Sequence, residues 1–338
     1  MTDSLFLGTC IHFNDTGPHP INYASMRDAG ITWTRVDLPF PFDGSSTKEH
    51  PRYQAVKAHI RTLREQGIRT LGITPYMRDW PFQTGELGSR SFLATYQAVC
   101  AYLAKDLTDL IDTWQICNEL NLAWFRRPFA TEEEALPFLV YGGLGIREGN
   151  PLARVGVNMA TGHRESADRM YRALYPSNTV RWDFVGVDAY YGTWEPGGPH
   201  TWASTLDRIH VLCGGVDIIV MEYGYASDGG TMTDDERGPQ EFSSQQLHTV
   251  SKWPYGWSDG HTPEVQGRYG TTALEVFRAH PAVVGAFWYK WNDGRACGCG
   301  NAGCPENRAY GLVTNDQELK PAWHAHRAFA RALGRISG

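Results

Sequence analysis

The chain has 338 residues and a mass of 37.9 kDa, long enough for one large domain with a sizeable buried core. Hydrophobic residues make up 42% and charged residues 20%, which excludes a disordered chain, a collagen and a coiled coil. The net charge of −6, without a block of Lys or Arg, argues against a nucleic-acid partner. No apolar run is long enough to cross a membrane, so we expect no membrane partner, and the composition leaves the oligomeric state open.

Localisation depends on the N-terminus, where the first basic residue is Arg27. The chain therefore begins without the positively charged start of a secretory signal. We expect a cytoplasmic protein, or a secreted one whose signal has been removed.

Short apolar, β-branched runs alternate with helix-period segments along the chain. We predict eight strands, over 5–11, 31–38, 69–76, 112–120, 154–160, 184–191, 217–224 and 283–291. Their near-continuous apolar character is typical of parallel strands buried on both faces. We predict helices over 52–67, 92–107, 207–214, 263–280 and 320–334, and a capping box of Thr131 and Glu134 that opens another.

Strand alternating with helix eight times predicts an α/β fold, a single (β/α)8 TIM barrel that forms one catalytic domain over residues 1–338. The runner-up is an open doubly wound sheet, which usually carries a Gly-rich phosphate loop after its first strand. Residues 12–20 do not form such a loop. Residues 225–262 make a long loop after the seventh strand, and we expect it at the active-site face because long loops in compact domains are usually functional or mobile.

Two carboxylates mark predicted strand ends. Glu119 closes the fourth strand, and Glu222 lies at the end of the seventh. The active site of such a barrel lies at the carboxyl ends of its strands, where these two residues, three strands apart, would face each other. Each alone is compatible with a structural salt bridge at the rim. Two carboxylates that flank a cleft are what glycoside hydrolysis uses.

The motifs around these residues resemble those of clan A glycoside hydrolases, the retaining (β/α)8 enzymes. Residues 114–119 resemble their fourth-strand Asn-Glu motif, and residues 221–224 resemble the seventh-strand nucleophile motif. Arg35 resembles the second-strand Arg that braces the nucleophile, and Tyr190 the sixth-strand Tyr that hydrogen-bonds it. Trp288 resembles the eighth-strand Trp that forms the floor of the sugar site.

Three positions depart from the pattern of many clan members. Cys117 precedes the Asn-Glu pair, Leu120 follows it, and Asp188 stands where some members carry His. These departures leave the exact family and its sugar open.

The resemblance implies a role for each residue. Glu119 would be the acid/base and Glu222 the nucleophile, with the positive charge of Arg35 keeping Glu222 ionised. Tyr190 would hydrogen-bond Glu222, and Asn118 would bind the sugar 2-hydroxyl. Regular strand alternation points Asn118 and Glu119 to opposite faces, so we expect a bulge at this strand end.

The implied activity is that of a retaining β-glycoside hydrolase, with a carbohydrate as its partner. It would act by double displacement on β-linked oligo- or polysaccharides of the β-mannan, β-glucan or β-galactoside class, with no required cofactor and no catalytic metal. The alternative is a catalytically inactive carbohydrate-binding barrel. The presence of both Glu residues, the bracing Arg35 and Tyr190 argues against that alternative.

Aromatic residues cluster at the predicted strand ends, where their rings could stack on the apolar faces of sugars. Seven of the twelve Trp fall at or after these ends: Trp80, Trp124, Trp194, Trp253, Trp257, Trp288 and Trp291. The substrate contacts that we predict are Trp288, His12, Tyr76, Trp124, Trp194 and Trp257. The alternative is that these rings simply fill the core.

The seven Cys are an odd number, which implies no complete disulfide framework. Cys297, Cys299 and Cys304 form a local cluster after the eighth strand. Their spacing suits a structural zinc with a fourth ligand from elsewhere, such as a His, and it also suits one disulfide with a free thiol.

Overall fold

The computed structural model describes residues 5–11, 21–44, 46–82, 86–177, 179–238 and 244–335. Its strands are β1 (Phe6–Cys10), β2 (Trp33–Asp37), β3 (Arg69–Ile73), β4 (Thr113–Gln115), β5 (Arg154–Ala160), β6 (Phe184–Ala189), β7 (Asp217–Tyr223), β8 (Gly230–Thr231), β9 (Lys252–Trp253) and β10 (Val283–Trp288). Its helices are α1 (Tyr23–Asp28), α2 (Pro51–Glu65), α3 (Arg90–Asp106), α4 (Ala123–Arg126), α5 (Glu132–Gly149), α6 (Arg164–Leu174), α7 (Thr201–Leu212), α8 (Asp234–Arg237), α9 (Ser244–Val250), α10 (Pro263–Ala279) and α11 (Pro321–Ala332). A single 3₁₀ turn spans Met77–Asp79.

Eight strands close into a barrel in the order β1, β10, β7, β6, β5, β4, β3 and β2, which confirms the predicted α/β barrel and excludes the doubly wound sheet. Parallel ladders join β1 to β10 and run without a break from β2 to β6. Each of the eight predicted strands is present, and β5 has the predicted bounds. None of the described helices combines the length and apolarity needed to cross a membrane.

The described residues form two compact units. The first unit takes its residues from 1–32, 189–206 and 220–338, and the second takes its residues from 33–188 and 207–219. The first contains β1, β10 and most of β7, and the second contains β2 to β5 with nearly all of β6.

Helix α2 shows how the sequence builds the second unit. Its buried residues are Tyr53, Val56, Ile60 and Leu63, the positions that its 3.6-residue period predicts. The helix ends just before Gly67, whose φ of +75° is a left-handed conformation that glycine adopts without strain.

Two helix starts differ from the sequence prediction. At α5, the side chain of Thr131 accepts a hydrogen bond from the Glu134 backbone N–H, as a capping box requires. The Glu134 carboxylate, however, accepts from the N–H of Ala130 instead of closing the box on Thr131. Helix α7 begins at Thr201, six residues before the predicted start at Asp207.

The segment 225–262, predicted as a long loop, contains short regular elements. Strands β8 and β9 pair in parallel, and α8 opens with a complete capping box between Thr233 and Glu236. The box satisfies backbone donors at the start of a helix that is only one turn long.

A buried ion pair connects separate segments of the first unit. The ammonium of Lys320 lies 2.9 Å from the Asp293 carboxylate and donates to the Ser227 hydroxyl at 2.8 Å. The same carboxylate accepts from the backbone N–H of Gly311 at 2.6 Å. The pair therefore joins the start of α11 to the segments that follow β7 and β10.

Replacing Asp293 with Asn should lower the free energy of unfolding by about 3 kcal/mol, because it leaves the Lys320 charge buried without its counter-charge. The matched control is Asp259→Asn, which breaks an exposed pair with Arg268 and should lower the free energy of unfolding much less. Urea unfolding at pH 7 measures both. Equal losses in the two variants would contradict a structural role for the buried pair.

Candidate active site

Strand β4 ends earlier than the sequence predicts. Its last ladder residue is Gln115, so Asn118 and Glu119 lie beyond the strand. Cys117 and Glu119 have φ values of +53° and +48°, a left-handed backbone that cannot continue a β-ladder. Because these two residues turn the chain on either side of Asn118, the strand alternation that would point Asn118 and Glu119 to opposite faces does not apply. The expected bulge is therefore replaced by a left-handed turn.

Side chains stabilise the backbone of this turn. The Cys117 backbone N–H donates to the Thr74 hydroxyl at 2.8 Å, and its carbonyl accepts from Gln115 Nε2 at 2.6 Å. The Glu119 backbone N–H donates to the side-chain oxygen of Asn158 at 3.2 Å. Side chains on β4 and β5, and one just after β3, thus take over where ladder bonds stop.

A buried polar network fixes the amide of Asn118. Its Oδ1 accepts from Arg35 Nη2 at 2.9 Å, from Gln115 Nε2 at 3.0 Å and from Asn158 Nδ2 at 2.7 Å. Three donors on one oxygen leave a single orientation for the amide, with Nδ2 turned away from them. Asn118 therefore presents a donor, held in place by β2, β4 and β5, beside the backbone of Glu119.

The network extends to charged groups at both ends. Arg35 also donates to Gln115 Oε1 at 2.9 Å, and Asn158 Nδ2 also donates to the Asp188 carboxylate on β6. Arg35, 2% exposed, and Asp188, with no exposed surface, are thus a buried cation and a buried anion connected through amides. Glu119 is 8% exposed, a carboxylate almost removed from solvent at the edge of this network.

Glu222 lies at the end of β7, where it is half-buried. The Tyr190 hydroxyl, from the residue after β6, donates a hydrogen bond to its Oε2. This contact matches the one predicted from the sequence. A phenol that donates to a carboxylate fixes the orientation of that carboxylate.

Gly224, which follows Glu222 and Tyr223, has no room for a side chain. A Cβ on Gly224 would lie 2.6 Å from the backbone oxygen of Tyr289 and 3.6 Å from the Tyr190 ring. Since contacts below 3.0 Å force the backbone to shift, only glycine lets β7 and β10 end this close together.

Two further tyrosines surround the Tyr190 ring. Tyr289 and Tyr310 meet it edge-on, with centroid distances of 5.8 and 5.4 Å. Tyr289 is half-buried, and its backbone N–H extends the ladder to the Tyr223 carbonyl at 2.8 Å. The phenol that contacts Glu222 is therefore held by a cluster of aromatic rings.

Trp288 does not form the floor of a sugar site, and this expectation is wrong. Its side chain has no exposed surface, and its indole N–H donates to the Tyr310 carbonyl at 2.8 Å. The ring packs edge-on against Tyr223 and His326, the latter on α11, so it belongs to the core. The aromatic residue after β10 whose ring contacts Tyr190 is the next one along the chain, Tyr289.

Trp253 and Trp291 are likewise core residues, at most 1% exposed. Burial of these rings means that strand-end position alone does not identify a sugar-stacking surface. The alternative interpretation, that the rings fill the core, therefore holds for three of the seven Trp.

The other predicted substrate contacts that the structure describes keep some exposed surface. Tyr76 is half-buried and donates to Asp37 at 2.8 Å, while Trp124 is 59% exposed beneath the Arg127 guanidinium. Trp194 and Trp257 are half-buried. His12 lies outside the described residues.

The Cys cluster predicted after the eighth strand is present, and a fourth residue joins it. The side-chain donor atoms of Cys297, Cys299, Cys304 and His248 all lie within 4.8 Å of one another. His248 comes from α9, in the segment 225–262, and each of these cysteines is a free thiol.

Glu195 is a titratable group of this region that the sequence did not single out. Its carboxylate accepts from the Tyr190 backbone N–H at 2.7 Å. Desolvation of the carboxyl group raises its pKa to about 7, although this hydrogen bond opposes the shift. The loop that carries Tyr190 therefore rests on a group that changes charge near neutral pH.

The sequence prediction misses Gln115 and Asn158, and it names Asp188 only as a departure from the clan pattern. All three are buried polar residues within segments predicted as buried strands. A buried polar side chain needs a partner, so three of them on consecutive strands predict a network. Tyr289 gave no such signal, because an aromatic residue at a strand end suits both a core and a surface.

Glu195→Gln should change how stability depends on pH. Between its usual pKa near 4.5 and the folded value of about 7, the folded protein keeps a proton that the unfolded chain has lost. The carboxyl group therefore contributes its full stabilisation of the wild type below pH 4.5, and this contribution falls as the pH rises to 7. The Gln variant does not lose this stability with rising pH.

Urea unfolding from pH 4.5 to 8 tests this, with the exposed Glu133→Gln as control. The free energy of unfolding of Glu195→Gln should rise relative to wild type over that range, while the control follows wild type. Parallel curves for all three proteins would contradict the assignment.

A comparison with protein-family models and one with curated protein sequences find no match. Among solved structures, the fold is similar to a family 39 glycoside hydrolase from the gut symbiont Bacteroides cellulosilyticus WH2, at a TM-score of 0.63 and 16% identity over 97% of this chain and 64% of that one. It is similar to Bacteroides uniformis beta-glucuronidase, at a TM-score of 0.62 and 16% identity over 98% of this chain and 35% of that one. It is also similar to a GH2 beta-galacturonidase from Eisenbergiella tayi, at a TM-score of 0.62 and 12% identity over 99% of this chain and 52% of that one. The chain spans less than two thirds of the length of each, and at these identities the likeness concerns the barrel fold.

Proposed function

We propose that the protein is a retaining β-glycoside hydrolase of clan A, with Glu222 as nucleophile and Glu119 as acid/base. The observation that carries the proposal is the hydrogen bond from Tyr190 to the Glu222 carboxylate at the end of β7. The barrel fold shared with three solved glycoside hydrolases supports it. The carboxyl ends of parallel barrel strands supply catalytic residues in enzymes of this fold, and one Glu follows β4 while the other lies at the end of β7.

Glu222 suits the role of nucleophile for two reasons. It is half-buried, so a substrate can reach it, and the Tyr190 hydroxyl orients its carboxylate.

Glu119 suits the role of acid/base because of its position. It is 8% exposed and follows β4, at the carboxyl ends of the barrel strands where catalytic residues lie in enzymes of this fold. The neighbouring Asn118 presents its Nδ2, which can donate to the sugar 2-hydroxyl. Arg35 acts in this scheme as a positioning residue, because it fixes the Asn118 amide.

In the first step, a Glu222 oxygen attacks the anomeric carbon from the face opposite the leaving group. The glycosidic C–O bond breaks, and Glu119 gives its proton to the departing oxygen. The product is a glycosyl ester of Glu222, and Glu119 is left as a carboxylate.

In the second step, Glu119 takes a proton from water, whose oxygen bonds to the anomeric carbon as the ester bond breaks. Glu222 is again a carboxylate, Glu119 is again protonated, and the sugar keeps its β-configuration. Side chains supply every proton transfer, so the scheme requires no cofactor. A zinc ion at Cys297, Cys299 and Cys304 would have a structural role outside these steps.

We assign residues 1–338 to one catalytic barrel, with the segment 225–262 at the active-site face. Trp253 in that segment packs against Trp194 and Tyr310, and Tyr310 in turn contacts Tyr190. The substrate class is a β-linked oligo- or polysaccharide, for which Trp124, Trp194 and Trp257 offer partly exposed rings.

A screen of aryl β-glucoside, β-galactoside and β-mannoside, with β-mannan and β-glucan, identifies the sugar. Aryl β-glucuronide and β-galacturonide belong in the same screen, because two of the similar structures are named for those activities. Proton NMR during the first minutes of hydrolysis should show the β-anomer first, whereas first appearance of the α-anomer would exclude retention.

Substitutions of Glu222 and Glu119 should have different effects on the kinetics of hydrolysis. Glu222→Ala removes the nucleophile, so every substrate should lose turnover, and azide should restore it only as the α-glycosyl azide by direct displacement. Glu119→Ala should lose about 10²- to 10⁴-fold on natural glycosides, the usual contribution of a general acid. On a dinitrophenyl glycoside, whose leaving group needs no proton, it should show a burst, and azide should give the β-azide.

Glu133→Gln, an exposed carboxylate on α5, is the control and should keep wild-type rates. Exchange of the two azide products between the variants would reverse the assigned roles. Full activity of both variants on natural glycosides would overturn the proposed mechanism. A protein that binds oligosaccharides but hydrolyses none would be the inactive carbohydrate-binding barrel.

A further inference from the structure

We propose that His248, Cys297, Cys299 and Cys304 bind one structural zinc ion. The ion fastens α9, within the segment 225–262, to the loop that follows β10. Neither the double-displacement mechanism nor its residues require this site.

The distances between the four side chains suit tetrahedral zinc. Zn–S bonds of about 2.3 Å and Zn–N bonds of about 2.0–2.1 Å place a nitrogen and a sulfur ligand about 3.5 Å apart at the tetrahedral angle. His248 Nδ1 lies 3.5 Å from Cys304 Sγ and 3.5 Å from Cys297 Sγ. All four ligand atoms lie within 4.8 Å of one another, so a small rotation of the side chains brings the set around a common centre.

The donor set selects the metal and its role. Three thiolates and one imidazole form a Cys₃His set, which is typical of structural zinc, and four protein ligands leave no open position for substrate or water. The Glu306 carboxylate lies 3.4 Å from Cys297 Sγ and 3.5 Å from His248 Nδ1. This carboxylate adds negative charge beside the four side chains, which favours a bound cation.

Hydrogen bonds already hold the two segments in position without help from a metal. Asn301 Nδ2, in the Cys loop, donates to the His248 carbonyl at 2.6 Å and to the Ser251 hydroxyl at 2.9 Å. Its Oδ1 accepts from the Gly303 N–H at 2.9 Å, which folds the loop back toward Cys304. The ligands are therefore brought together by contacts that do not involve their side chains.

The site borders the core that supports the aromatic cluster. Cys297 and Cys304 belong to a buried group with Trp253 and Tyr310, and Tyr190 and Tyr289 pack against that group. A metal that fixes the two cysteines therefore stabilises the packing behind the phenol that contacts Glu222.

A disulfide is the competing use of these cysteines. A disulfide would join two of the sulfurs at about 2.0 Å and leave the third, together with His248, without a role. The close approach of the imidazole to two sulfurs favours the metal, because a disulfide needs no His.

Metal analysis of the full chain, purified with a phosphine reductant and dialysed against buffer with trace Zn²⁺, tests the proposal. We expect one zinc per chain. We also expect that Co²⁺ added to the zinc-free protein gives the intense visible bands of a tetrahedral site, with thiolate-to-cobalt charge transfer in the near ultraviolet.

Cys299→Ser removes the one exposed ligand, so it disturbs the core least. It should weaken zinc binding at least about tenfold and reduce the charge-transfer bands, because two of the three thiolates remain. Ala302→Ser, at an exposed position of the same loop, is the matched control and should bind zinc as the wild type does. Circular dichroism of both variants at low temperature establishes that each is folded.

Zinc removal by a chelator should lower the melting temperature of the wild type and of Ala302→Ser, and should lower that of Cys299→Ser by less. No zinc in the reduced wild type would overturn the proposal, as would equal zinc binding by wild type and Cys299→Ser. A disulfide among these cysteines in the reductant-free, metal-free protein, with no zinc uptake after reduction, would also overturn it. Because these readouts are metal content, spectra and melting, they are independent of glycosidase activity.

Discussion

Buried polar groups need hydrogen-bond partners, and this constraint determines the arrangement of side chains in the second unit. Gln115, Asn158 and Asp188 point polar side chains into a region that the surrounding strands bury, where an unpaired group costs about 1–3 kcal/mol. They meet because the ladders place Thr113 opposite Arg154 and Gly156 opposite Phe184. A slip of one residue in either pairing would turn the network to the other face of the strand. The barrel register thus sets the position of the Asn118 amide.

In the first unit, aromatic rings hold the side chain that contacts Glu222 in place. Glu222 is oriented by one phenol, and that phenol is fixed by Tyr289 and Tyr310 instead of by amides. Rings pack without directional partners, so this arrangement depends on the shape of the core behind it. Trp253 and the two buried cysteines supply that shape, which links the geometry beside Glu222 to segments far from it along the chain.

The sequence predicted the barrel well because eight apolar runs with helical segments between them suit few other folds. It also predicted the Tyr190 contact and the grouping of the three cysteines. It misjudged the end of β4, since a left-handed turn at Cys117 and Glu119 leaves no mark on hydrophobic periodicity. It misjudged Trp288 for a different reason: a large ring at a strand end can face either the strand ends or the surrounding helices, and burial on the helical side depends on tertiary packing.

The left-handed backbone at Glu119 bears on how this position would evolve or be redesigned. A non-glycine residue in this conformation costs of order 1–3 kcal/mol, which glycine would largely avoid. A sequence optimised for folding alone would therefore place glycine here and lose the carboxylate. A designer who stabilises this barrel by backbone-guided substitution should hold position 119 fixed, because the most stable choice at that site would remove the proposed acid/base.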